Sequence, residues 1–466
     1  DSASRRLAAT TAPGPDLSAL LSVIGSAPEG EWRRVNLNNF SEVWTPEAQR
    51  PLMGVSNPDP SAIIMAWSSF AWDTARGDLW LFGGGHATYP GNDTYRWRGT
   101  TQRWERASLP SEITSLGITG RTDLYKTVDG PDAAPISAHT FGNNLYLPNI
   151  DRFITFGGGA FNNGGVFSKK VTATEERPTG PYLFDPTRAD GSKVGGLTGS
   201  HVQRVAPYPE VLGGEMWSNR DLYGYQPTNP FLPGAHLNGM SSVVEEGGKD
   251  VVYVAAWGNG GGTDTNLYRY VINDGANPAL DTWERVGRYW NGTPEQGAGA
   301  VDPQRRLFVR TGDARVPFVM WDLALADPYN DDQVITPTVQ GGTIDFDALR
   351  DHGMDHDPFR DAFVLWGGGG QVWQLKAPVQ PGGAWTLQAM PAPTQTPVPG
   401  TDIGTGVLGK WKYIPNLDVF MALSNAGSGA NGEVWVWKPY GWRDPRPGAN
   451  QYPTVSVTAP TNGQIV

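Results

Sequence analysis

DLWLFGGG (78–85) and RFITFGGG (152–159) decide the fold: each is an apolar strand that runs into a block of glycines. The phrase returns as VVYVAAWGNGGG (251–262), RLFVRTGD (306–313), FVLWGGGG (363–370) and VFMALSNAGSG (419–429). An aromatic strand and then a Trp-centred strand follow most copies, as in TYRWRGTTQRWERAS (94–108), NLYRYVINDGANPALDTWERVG (266–287) and QVWQLKAPVQPGGAWTLQAM (371–390). Several short strands recurring every roughly 45–75 residues predict a β-propeller.

Six units can be counted, at about 61–110, 136–208, 236–290, 297–340, 349–392 and 405–440. The second carries an insertion, and 209–235 forms a long connection whose Pro, Gly and lack of alternation argue against a seventh blade. GEWRRVNLNNF (30–40) resembles the last strands of other units, RWERASLP and DTWERVGRYW, yet it stands before the first unit. After GEVWVW (432–437) the last unit lacks a Trp strand of its own. The early strand is therefore expected to complete the last blade and remove an open sheet edge. The expected fold is an all-β, six-bladed kelch-like propeller over 31–443.

Residues 1–30 read as a loosely attached leader. Leu17, Leu20, Leu21 and Ile24 share one face of a short helix that begins near Pro15 and Asp16 and ends at Gly25. Residues 444–466 read as a linker into VSVTAPTNG, which looks like the opening of an immunoglobulin-like module; further C-terminal domains and a secreted or surface location are expected.

The chain has 466 residues, with 60 Gly, 39 Pro, 19 Trp, 16 Tyr and 16 Phe, a mixture that suits short twisted strands and tight turns. Its net charge of −11 makes nucleic acid a poor partner, since that binding neutralises phosphates. Cysteine is absent, which excludes thiol catalysis, disulfides and thiolate-bound metals. No run approaches the roughly 20 apolar residues of a membrane helix.

The repeated unit resembles the kelch repeat, in the bacterial branch related to the galactose oxidase central domain, over about 31–440. Copper oxidase chemistry of that family uses a Tyr–Cys thioether, which a chain without Cys cannot form. The resemblance extends to propeller polysaccharide lyases such as ulvan lyases, which implies β-elimination on an anionic polysaccharide or other glycan; it supplies a reaction class and no residues.

Blade topology supplies the candidate residues. The b–c loops and d–a connections meet on one face near the axis. His86 falls in the first b–c loop, and His139, His236 and His352 begin inner strands two, three and five. His201 reads as lying on an outer strand and His356 as lying in an a–b turn of the opposite face; both are taken as structural. His139 or Tyr89 is the expected base, His86 the acid, and Arg310 the partner of a substrate carboxylate unless Asp313 holds it. Asn162, Asn238, Trp257, Asn259, His352, His236 and Lys410 are expected substrate contacts. Asn92 and Asp93 read as holding the turn. Trp217, Arg220, Tyr223 and Tyr225 either wall a groove or cover blade two. NDGANPALD (273–281) and DPYNDDQ (327–333) are loops that could hold a structural calcium ion, without EF-hand spacing. The alternatives are a non-catalytic glycan- or protein-binding module and a metal-dependent hydrolase, for which no ligand spacing is evident.

Overall fold

A computed structural model describes residues 14–51, 59–190, 216–232, 239–256, 266–325, 327–380 and 382–448. Six antiparallel sheets follow one another along the chain. Their inner strands are Phe70–Asp73, Asn144–Leu147, Met240–Glu246, Gly299–Asp302, Gly353–Asp357 and Trp411–Ile414. Hydrogen bonds at or just before these strands join five of the six neighbouring pairs, and packing of Gly299–Asp302 against Gly353–Asp357 completes the ring. Asn144 N donates to Ser69 Oγ, Ser241 N to Gly142 O, Val301 N to Ser242 Oγ, Tyr413 N to Asp355 Oδ2 and Phe70 N to Gly409 O. The six-bladed propeller expected from the repeats is the observed fold.

The closing strand is also as expected. Trp32–Arg34 pairs antiparallel with Val434–Trp437, with Trp32 opposite Trp437. The Trp32 ring lies 5.6 Å from Trp366 and 5.7 Å from Trp411, and its Nε1 donates to Gly370 O of blade five. The helix spans Ser18–Ser26 and is not loose: Leu17, Leu20, Leu21 and Ile24 are buried against Trp72, Leu79, Leu417 and Val419, in the seam between blades one and six.

Two boundaries differ from expectation. Blade two is completed by Trp217–Asn219, inside the segment read as a connection. Trp217 therefore packs in the blade core, and Arg220 is buried in a bidentate pair with Asp281 of blade three. Tyr223 packs beside blade three, while Tyr225 is exposed. Blade five gains a fifth strand, Thr338–Gln340, parallel to Thr386–Ala389. The insertions form two hairpins, Ile113–Ser115 with Tyr125–Thr127 and Ser168–Lys170 with Glu176–Pro178.

The a–b turns share a device. Asp73, Asp302 and Asp357 end inner strands, and each carboxylate accepts the N–H groups two and three residues on. The Arg three residues later pairs with that Asp and reaches the next blade: Arg76 to Asp151, Arg305 to Asp361, Arg360 to Asp418. Asp151, Asp361 and Asp418 sit at φ +54°, +52° and +51°, a left-handed position that Asp tolerates better than most residues. One residue thus makes its own turn and receives the clamp from its neighbour.

Candidate functional site

On the b–c and d–a face, four residues lie three positions before an inner strand in left-handed conformation: Trp67, Phe141, Gln296 and Leu408, at φ +43°, +47°, +57° and +51°. Such backbone persists only where the surroundings hold it. Here Trp67 N donates to Thr405 Oγ1, Phe141 N donates to Trp67 O, and Trp67 Nε1 reaches Gln296 Oε1 at 2.9 Å. Blades one and four are opposite each other, so the indole lies across the axis. Gln296 Nε2 in turn donates to Asp351 Oδ1 at 2.6 Å, joining blade five to the chain of contacts.

His139 stacks beside this indole, its ring 4.8 Å from that of Trp67, and is only 4 % exposed. Its backbone N–H donates to Gly159 O at 2.8 Å. His86 stands edge-on to it with centroids 5.6 Å apart, and is exposed. A side chain at Gly164 would place its Cβ 2.7 Å from His86 Nδ1, so the glycine makes room for the imidazole. Asn162 belongs to that same loop, at φ +84° and half-buried. One buried and one exposed imidazole, with an indole behind them, form a unit able to take up a proton at one nitrogen and deliver it at another.

Several expected contributors are instead framework. Tyr89 is fully buried, and its hydroxyl donates to Asp93 Oδ2, which also accepts from Tyr95 and Thr45. Burial, and then the Asp93 charge, push the Tyr89 phenol well above its ordinary range. A phenol held protonated and out of solvent cannot serve as the base. Arg310 is also buried, and its guanidinium donates to Tyr289 Oη and to the carbonyls of Pro294, Gln296 and Thr311. Asp313 does not hold it; that carboxylate pairs with Arg315. With every nitrogen engaged, Arg310 braces the loop that carries Gln296. Asn92 is buried and holds Ser111 N and Pro135 O.

His352 is buried with Nδ1 2.8 Å from Ala348 O, and burial lowers its pKa. Lys410 is buried, donates to Ile64 O at 3.0 Å, and is driven down to about 7 by desolvation. The proton on Lys410 is held to about pH 10.4 in the unfolded chain but lost near 7 in the folded one. Stability therefore rises as pH climbs through that window. Lys410→Met is expected to stabilise the fold by about 1 kcal/mol at pH 6 and by less at pH 10, read from urea midpoints. His201, His236, Asn238, Trp257 and Asn259 lie outside the described residues.

The acidic loops have other partners. Asp281 holds Arg220, Asp331 pairs with Arg288, and Asp332 accepts Trp290 N and Asn291 N. His356 lies within an inner strand rather than in the turn beyond it. Asp302, His356 and Asp361 come together, but Arg305 sits on both carboxylates and supplies the positive charge there.

Among the described residues a cavity of about 340 Å3 follows the propeller axis. It opens on the face opposite the one expected. Buried Gly142, Ala298, Leu408 and Gly409 line its end beneath the imidazole pair, and exposed Pro148, Pro303, Pro358 and Pro415 rim the a–b turn end. No helix among the described residues is long and apolar enough to cross a membrane.

No family model matches the chain, and no curated protein does. Solved structures similar to it include an α-L-arabinanase of Penicillium chrysogenum complexed with arabinobiose, at 11% identity and TM-score 0.42, over 86% of this chain and 98% of that one. The α-L-arabinofuranosidase of Fusarium graminearum is similar at 10% identity and TM-score 0.36, over 86% and 97%. The Malassezia sympodialis allergen Mala s 1 is similar at 10% identity and TM-score 0.39, over 81% and 93%. Likeness at this level concerns the fold alone.

Proposed function

We propose that the protein is a secreted or surface-borne, kelch-type carbohydrate-active enzyme, a polysaccharide lyase that cleaves a uronic-acid-containing glycan by β-elimination. The observation that carries this reading is the His86–His139 pair, 5.6 Å apart beside Trp67. In the proposed step an imidazole nitrogen of His139 takes the proton from C5 of the uronate. The C5–H electron pair becomes the C4=C5 double bond as the C4–O bond breaks. His86, on the solvent side, protonates the departing oxygen. The Asn162 amide takes over from Arg310 as the hydrogen-bond donor to the uronate carboxylate, and Trp67 offers an apolar face to the sugar ring.

The test is incubation with a panel of anionic polysaccharides while following ultraviolet absorbance of the new C4=C5 bond. A rise on at least one polymer is expected. A second reading, a non-catalytic glycan-binding module on the imidazole face, is favoured by one observation: the described cavity opens on the other face, so the imidazole pair does not stand at its mouth. No rise on any polymer, with retention on a glycan array lost in His86→Ala, would replace the lyase with that module.

A further inference from the structure

The axial cavity carries chemistry of its own. Its walls are mostly apolar, with Trp72, Leu145, Met240, Val301, Met354 and Trp411 among them. At about 340 Å3 it falls in the range of small-molecule sites. Water in an apolar enclosure is poorly held, and displacing it with an apolar group gains affinity.

Two charged groups interrupt these walls. Asp355, half-buried, already accepts from Tyr413 N at 2.9 Å and His356 N at 2.8 Å. Lys412, on the neighbouring inner strand, is half-buried, and among the described residues its ammonium has no hydrogen-bond partner; it feels Asp355 only through space. Desolvation lowers its pKa, so the charged form lacks compensation that a ligand can provide. His356 is a further wall residue; its Nε2 is buried without a hydrogen-bond partner, 3.8 Å from Asp302 Oδ2.

We propose that the axial cavity binds a small amphipathic monocarboxylate, entering past the proline rim with its carboxylate on Lys412 and its apolar tail along the walls. A single ammonium is a point charge that suits one carboxylate. The nearby Asp355 disfavours a second negative charge, which sets phosphate monoesters apart. The apolar depth calls for a tail, which sets acetate apart. This site is on the opposite face from the imidazole pair and does not depend on the lyase reading.

The test is isothermal titration calorimetry of the whole protein with octanoate, octylammonium and acetate. Octanoate is expected to bind with a 1:1 stoichiometry, at least tenfold more tightly than either of the others. Lys412→Met is expected to weaken octanoate at least tenfold. Thr74→Trp, which fills the half-buried mouth while leaving the Thr74 carbonyl bond to Asn416 in place, should do the same. His86→Ala should leave octanoate binding unchanged. If Lys412→Met does not fold, Thr74→Trp and the octylammonium comparison carry the test. Absence of octanoate binding, an equal response to octylammonium, or binding that survives Thr74→Trp would overturn the proposal.

Discussion

His139→Gln is expected to lower turnover on the responsive polysaccharide by about 10²–10⁴-fold, the usual contribution of a positioned proton-transfer group. Glutamine keeps a polar side chain at a buried position, and the backbone bond to Gly159 O does not depend on the imidazole. His86→Ala should fall as far in turnover and leave folding unaffected, because that ring is exposed. Gly164→Ala gives an independent check. Its Cβ would crowd His86 Nδ1 from 2.7 Å away at φ +72°, so activity should drop with no titratable group removed. Initial rates across substrate concentration separate the two functional readings. A lyase loses kcat in the histidine variants; a binding module with traces of another enzyme shows kcat and KM unchanged and only retention altered.

Arg360→Met is expected to destabilise the fold by about 3–5 kcal/mol at pH 7, the scale for removing one partner of a buried ion pair. The guanidinium lies between Asp357 and Asp418, whose side chains are 0% and 3% exposed. Methionine fills much of its volume, takes the cation from Asp357 and leaves Asp418 with only the more distant Arg443, 3.6 Å away. The sign of the pH response follows. Burial pushes the Asp418 carboxyl up more than any single contact lowers it, but hydrogen bonds from Arg360, Arg443 N and Tyr413, with the Arg360 charge, together hold the group below its ordinary value. The stabilisation is therefore present at neutral pH and lost as acid protonates the folded carboxylate. The gap between wild type and variant should narrow in urea titrations as pH falls from 7 to below 4. A gap that widens in acid would remove Arg360 from this role.

The same turn shows how far a sequence carries. Asp-x-x-Arg recurs at 73–76, 302–305 and 357–360, and the recurrence is legible. Its meaning is not, because the Asp that receives each Arg belongs to the next blade, 56 to 75 positions on. The closing strand was legible since Trp32 copies the pattern of strands that end other units. Trp217–Asn219 was not, because three residues are too few to show an alternation of period two. For the site, topology brings a b–c loop beside the next blade's d–a loop, which was enough to pair His86 with His139. It does not say whether a side chain near the axis turns outward or back. Tyr89 turns back because Asp93 accepts its hydroxyl, and Arg310 because four acceptors surround it. Trp67 and Gln296 were missed because nothing in AWSSF or PEQGAG announces a left-handed residue. Their shared place three positions before an inner strand emerges only once the strands are known.

The junction of residues 32–34 with the last blade also bears on biosynthesis. Trp437 Nε1 donates to Gly30 O across 407 positions. At roughly 5–20 residues per second, a ribosome needs about 20–80 s to make the intervening chain. Throughout that interval the first strand has no partner, and Trp32 has no core to enter. The helix just before it can already settle on Trp72 and Leu79 of blade one. That early anchorage keeps the waiting strand beside the place where its partner will arrive, and shortens the time a tryptophan-bearing edge is free to pair with a neighbouring nascent chain.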